Sequence, residues 1–318
     1  MTPAFMGGRT ILASSASGTK SRTKIGAVTG ARTRIGLAVL VLALAVTAMA
    51  QRGRRGGGGF GGFGGFGGIA GPSGPLPTFP AQGEFHFIRT EYTDLPSHHR
   101  GFGFASRDAR GNGWWIVDWP DADYHFSEGV RRLTRISVGE PLHMSLTDDK
   151  LFDEPWIYAT QVGWWDLNNA EVARLREYLT RGGFLVVDDF WSQDPDSWPV
   201  FEQTMARTLP GHPITEMAET GSAMHVLYDI QDKDRVWIPG SRHLRLGPGG
   251  VVQPIQPPGT TPMWFSIADD KGRMVVAVNY NTDVADAWEF ADVPEYPEKM
   301  TELAYRYGIN YIIYAMTH

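Results

Sequence analysis

The chain has 318 residues, 42% hydrophobic and 20% charged, a globular composition long enough for one sizeable core. It contains no cysteine, which excludes disulfides, thiolate metal centres, a cysteine nucleophile and a lipid anchor on cysteine. The net charge of −6 hides an asymmetry: nine Lys and Arg precede the first carboxylate, Glu84, so the remainder carries about −15, a field that repels nucleic acid and anionic headgroups.

Residues 1–50 are expected to form a signal peptide or an N-terminal membrane anchor. Arg32 and Arg34 precede a sixteen-residue apolar run, 35–50, that ends in Ala48-Met49-Ala50. That order of basic region, apolar region and small-residue site is the layout of an export signal. The run is shorter than the roughly 20 apolar residues a spanning helix needs. Membrane contact is expected only through 35–50, if that segment stays uncleaved, and the bulk of the protein lies outside the cytoplasm. Residues 51–83 follow as a Gly/Pro-rich linker, with Phe60, Phe63 and Phe66 in GGF repeats and no apolar periodicity.

From residue 84 the pattern is that of an α/β domain reaching to 318. Residues 85–89 alternate apolar and polar and predict a first strand. The glycine-rich 101–113 stretch reads as a loop. Phe126, Val130 and Leu133 predict one apolar face on a helix over 122–135. Short strands are predicted at 142–146 and 156–159. A helix then runs from 167 to 183, with Asn168 or Asn169 as N-cap, Val172, Leu175 and Leu179 inward, and Gly182-Gly183 as its stop. Residues 184–187 are a continuous apolar run, which suits a central parallel strand, and a helix follows over 199–209. This strand–helix–strand–helix rhythm implies a mainly parallel sheet. Residues 262–268 and 273–279 flank Asp269-Asp270-Lys271-Gly272, a hairpin signal. A helix is predicted at 294–307, broken by Gly308 before an apolar tail.

Four of these blocks carry a resemblance: DWPDADYHFSEGVRRLT at 118–134, LTDDKLFDEPWIYAT at 146–160, EVARLREYLTRGGFLVVDDFW at 171–191 and VNYNTDVADAWEF at 278–290. In this order they resemble the "domain of unknown function 4159" family, over roughly 84–315. The resemblance implies a class I glutamine amidotransferase-like fold: three layers, a mainly parallel sheet flanked by helices in a flavodoxin-like layout, with an antiparallel C-terminal addition. It also implies an exported or membrane-attached bacterial protein. Amidotransferases place a nucleophilic cysteine on a turn after a strand. The corresponding turn, 187–191, has none, so thiol glutaminase chemistry is excluded.

In parallel sheets ligands bind at the carboxyl ends of strands. Two such ends are legible: Thr160, Gln161, Gly163 and Trp164 after one strand, and Asp188, Asp189 and Trp191 after another. The paired acids are the candidates for acid–base catalysis or for a divalent cation, against a plain capping role. Asn279, Asn281, Asp283, Asp286 and Glu289 form a second polar cluster. It lacks the glycine and glutamate of an EF-hand, with Val284 and Phe290 in their places, and reads as turn and cap chemistry, with Asn281 and Asp283 kept as ligand candidates. Asp118, Asp121 and Asp123 form a third, with Asp121 or Asp123 read as the N-cap of the helix that follows. No histidine, His98, His99 and His125 included, has zinc spacing. Tryptophans near loops either fill the core or offer a surface for sugar rings, a reading that amidotransferase-like relatives resembling the trehalose-utilisation family make natural. The expectation is a non-catalytic exported binding or scaffold domain that needs no cofactor. Its partner is an envelope protein or a small-molecule or carbohydrate ligand, not nucleic acid. The alternatives are an extracytoplasmic hydrolase using Asp188 or Asp189 and a structural envelope protein.

Overall fold

The computed structural model describes residue 69 and residues 71–97 and 113–318. The expected export segment, the linker up to 68, His98-His99 and the loop at 101–112 lie outside the described residues. In chain order the strands are β1 (Ile88–Glu91), β2 (Leu142–Ser145), β3 (Trp156–Thr160), β4 (Phe184–Phe190), β5 (Thr215–Glu216), β6 (Leu244–Leu246), β7 (Val252–Pro254), β8 (Met263–Ala268) and β9 (Met274–Tyr280). The helices are α1 (Asp121–Leu133), α2 (Asn169–Thr180), α3 (Ser197–Thr208), α4 (Val284–Glu289) and α5 (Glu298–Thr317). Among the described residues no helix is long and apolar enough to cross a membrane.

Seven strands form one mixed sheet in the order β2-β1-β3-β4-β9-β8-β5. The run from β2 to β9 is parallel, and β8 lies antiparallel between β9 and β5. β6 and β7 make a separate antiparallel pair. The expected hairpin is present, with Gly272 at φ 77° in its turn. Its strand β9 joins the parallel run beside β4, and β8 with β5 supplies the antiparallel part at that end of the sheet. Alternate residues of β3 and β4 serve opposite faces, as the period of a strand requires. Trp156, Tyr158, Phe184 and Val186 pack with Phe126, Trp288 and Tyr307. Ile157, Ala159, Leu185 and Val187 pack with Leu175, Leu179 and Phe201. Helices α1, α4 and α5 therefore cover one face and α2 and α3 the other.

Several local readings hold. Asn168 caps α2 in a full capping box with Glu171, and Gly182 follows its end at φ 113°. Others need correction. The first strand begins at Ile88, not Phe85. Pro141 has no N–H to give to Phe87, so Leu142 donates instead and the pairing slips by one residue between Phe85–Val138 and Ile88–Leu142. Leu133 is not part of the inward face of α1 but is exposed. Neither Asp121 nor Asp123 caps α1, whose N-cap is Pro120. Gly308 does not end the last helix, because α5 runs through it. A Cβ there would lie 2.5 Å from Phe126 and 2.8 Å from Trp288, so the glycine lets α5 approach α1 and α4 closely.

Asp123 turns inward because Arg89 of β1 is there. Both side chains are fully buried, and Arg89 donates to Asp123 through Nε and Nη2. Its Nη1 donates to the carbonyls of Val117, at 2.8 Å, and Trp115. Its guanidinium also lies 5.2 Å from the centre of the Tyr158 ring. Burial alone would drive this arginine toward its neutral form, but Asp123 outweighs it and holds its pKa above the usual value. One guanidinium thus ties β1 to α1 and to the turn that delivers Asp118. Removing one partner strands the other charge in the interior. Arg89→Met and Asp123→Leu should each destabilise the fold by about 3–5 kcal/mol in urea unfolding, and the double variant should recover most of that loss. Additive losses in the double variant would show that the pair is not coupled.

Candidate metal centre

Parallel strands end on the same side of a sheet, and here each end delivers polar groups. Among the described residues the non-glycine residues with positive φ are Asp118 (65°), Gln161 (53°), Asp189 (51°) and Asn281 (58°). Gln161 follows β3, Asp189 lies near the end of β4 and Asn281 follows β9. Asp118 comes from the turn between β1 and α1. Each such conformation costs on the order of 1–3 kcal/mol and is held by its surroundings.

The paired acids of β4 separate by a bulge. The register against β9 shifts between Val187 and Phe190, so Asp188 and Asp189 leave the regular alternation. Asp188 points toward α4. Its Oδ2 accepts from the amides of Val284 at 2.8 Å and Ala285 at 3.0 Å, and from the Tyr158 hydroxyl at 3.1 Å. That oxygen anchors the start of α4, a helix distant in sequence, rather than capping α3, which follows β4, and neither acid of the pair is solvated. Asp189 turns the other way. It accepts from Gln161 Nε2, from Trp191 Nε1 at 2.6 Å and from Arg242 Nη2 at 3.3 Å.

Three acid clusters that are separate in the sequence meet here. Asp118, Asp189 and Asp283 each offer an oxygen, and these lie within 4.8 Å of one another. The same holds for Asp118, Asp286 and Glu289. Asp118, Asp189, Asp283 and Asp286 are buried, and Glu289 is partly exposed. Asp118 Oδ2 is buried with no hydrogen-bond partner, as is Asp188 Oδ1. Asp283 Oδ1 accepts from the Asp286 amide at 2.9 Å, which bears out turn-and-cap chemistry for this stretch. Asp286 in turn accepts from the Ser241 amide. Gly240 is pressed against Asp283 and Asp286, with an added Cβ 2.6 Å from Asp283 Oδ2.

Burial pushes the pKa of Asp118, Asp188, Asp189, Asp283 and Glu289 up, and neighbouring carboxylates add to the rise at each. Arg242 is the cation in contact with Asp189. Burial works against its charge, but Asp189, Asp283 and Asp286 raise its pKa. The guanidinium lies 5.0 Å from the centre of the Trp191 ring, and its side chain is 42% exposed. His243 beside it is lowered to about 4, by burial first and Arg242 second, and stays neutral at pH 7.

The other sequence candidates have structural duties. Gly163 lets its turn approach α3, since a Cβ would fall 2.4 Å from Ser197. Thr160 is buried, and its carbonyl accepts from Tyr92. Trp164 stacks on Trp114 at 5.7 Å. Trp191 is 1% exposed, covered by Arg242 and His243, so it presents no face to a sugar. Asn281 accepts from the Ser192 amide and donates to Thr261, joining two loops. Sequence reasoning placed the cap at Asp121 or Asp123, gave Asp118 no role of its own and passed over Arg242. The left-handed turn of Asp118 has no sequence signature beyond the tolerance of Asp for that conformation.

A family model, described as Domain of unknown function (DUF4159), matches residues 105–316, and the chain belongs to that family. No curated protein matches it.

The shifted carboxyls make a testable statement about pH. A carboxyl with a raised folded pKa holds its proton in the fold longer than in the unfolded chain, so stability falls as pH rises from the ordinary carboxylate range toward the folded pKa. His243 acts in the opposite sense, but only between about pH 4 and its unfolded value near 6.5. The difference between wild type and Asp118→Asn isolates one carboxyl from the rest. In chelator, urea unfolding should show Asp118→Asn gaining stability relative to the wild type as pH rises above the ordinary carboxylate range, because the variant has no proton to lose at this position. A difference that does not change with pH would contradict the raised value at Asp118.

Proposed function

We propose that this chain is an exported divalent-cation-binding domain on an amidotransferase-like α/β frame, with its ligand held at the carboxyl ends of the parallel strands. The observation that carries this reading is the set of carboxylates around Asp118, which bring oxygens within 4.8 Å of one another, together with an Asp118 oxygen that is buried with no hydrogen-bond partner. Opposite ligands of a hard cation with bonds of about 2.1–2.5 Å stand about 4.2–5.0 Å apart, so the spacing fits. The donors are all carboxylate oxygens, which suits magnesium, calcium or manganese, and neither set contains the histidine or thiolate that zinc favours. The reading keeps the binding-domain expectation and moves its centre from Asp188 to Asp118, Asp189 and Asp283. Export rests on the apolar run 35–50 and its preceding arginines.

A second reading, a hydrolase, has one observation in its favour. Asp189 takes a left-handed conformation near the end of β4, ahead of α3, and Gln161, Trp191 and Arg242 donate to both of its oxygens. Strained strand-to-helix turns of this kind present nucleophiles in other α/β enzymes. With no cysteine in the chain, such chemistry would fall to the carboxylate or to a bound cation.

Thermal unfolding in chelator and then in magnesium, calcium or manganese tests the first reading. A cation at about 100 times its Kd adds about 2.7 kcal/mol, or roughly 5–10 °C for a domain of this size. One of the three should give that rise in the wild type, and Asp118→Asn should abolish it. No rise with any of the three would overturn the proposal. A set of phosphoester, glycoside and peptide substrates then separates binding from hydrolysis.

A further inference from the structure

We propose that the carboxylate cluster holds two divalent cations side by side, bridged by Asp118. The inference rests on the cation-binding reading above and extends it from one ion to a pair. The two carboxylate triads are distinct sets that share one member. Asp189 and Asp283 complete the first, and Asp286 and Glu289 complete the second. Each triad alone meets the spacing of a hard-cation site. Helix geometry explains the division. Asp283 caps α4, Asp286 lies in its first turn, and Glu289 follows three residues later on the same face. One short helix thus hands its first acid to one triad and the next two to the other.

Asp118 is suited to the shared position. It is the common member of both triads, it is held in a left-handed turn, and its Oδ2 is buried without a hydrogen-bond partner. A carboxylate with one oxygen for each ion bridges cations about 3.5–4 Å apart in known two-metal centres. Charge agrees. The five carboxylates, when ionised, and the guanidinium of Arg242 together carry −4. One dication leaves −2 in a space shielded from water, and two bring the sum to zero. Asp188, buried next to Asp189 with its Oδ2 held by Tyr158 and the α4 amides, adds one more negative charge when ionised, so that two dications leave −1 where one leaves −3.

The full chain, stripped with chelator, loaded with manganese and freed of excess metal, provides the test. Elemental analysis should find two manganese ions per chain, and the frozen-solution electron paramagnetic resonance spectrum should show exchange coupling between them. Glu289→Gln, at the more exposed end of the cluster, should leave one ion and an uncoupled spectrum, with affinity at the second position weakened at least tenfold. Asp118→Asn should lose both. One ion per wild-type chain would overturn the pair and leave the single-ion reading standing. None would overturn both. The wild-type count decides the matter even where a variant fails to fold.

Discussion

Like charge gathered out of water is the constraint around which this molecule is arranged. Asp118, Asp188, Asp189, Asp283 and Asp286 are all buried at one edge of the sheet, and Arg242 is the cation that touches Asp189. Isolated buried carboxylates are costly, and they persist only when protons, hydrogen-bond donors or metal ions offset them. Asp189 meets the requirement with donors and a guanidinium, and Asp188 meets it with donors at Oδ2. Asp118 Oδ2 and Asp188 Oδ1 are left with nothing to meet them. A bound cation would supply what the fold withholds.

The rest of the architecture serves to bring these groups together. The sheet order places β4 between β3 and β9, so the chain segments after these strands emerge side by side. The bulge in β4 aims Asp188 at α4 and Asp189 at Gln161 and Arg242. The Arg89–Asp123 pair, buried beneath the turn before α1, fixes the path that delivers Asp118. The segment 237–243 closes the other side through Ile238, which accepts from the Asp283 amide, and through Ser241 and Arg242. The site is therefore built of buried polar groups, with Arg242 and Glu289 its more exposed members.

Much of the frame was legible from residue patterns. The apolar periods, Leu133 apart, the Asn168 cap and the Gly272 turn all follow local rules, and they hold. The misplaced elements are those where distant residues override local preference. Gly308 reads as a breaker until Phe126 and Trp288 are seen against it. The first strand reads from Phe85 until Pro141 fails to donate. For the site, the Asp188-Asp189 pair was visible, but its division between α4 and Arg242 depends on a bulge that no single residue announces. The acids at 118–123 and 283–289 were visible as two further local groups. Their meeting depends on a sheet order set by long-range pairing. Arg242 carries no local signal, because its partner lies 53 residues away.

The central claim is that a metal ion, rather than a set of shared protons, resolves the charge at the strand ends. A crystal of the protein grown in manganese, with diffraction collected at an anomalous wavelength, tests it most directly. The account expects an anomalous peak within coordination distance of Asp118, Asp189 and Asp283. Well-ordered carboxyl side chains with no peak beside them, in crystals saturated with the ion, would contradict it.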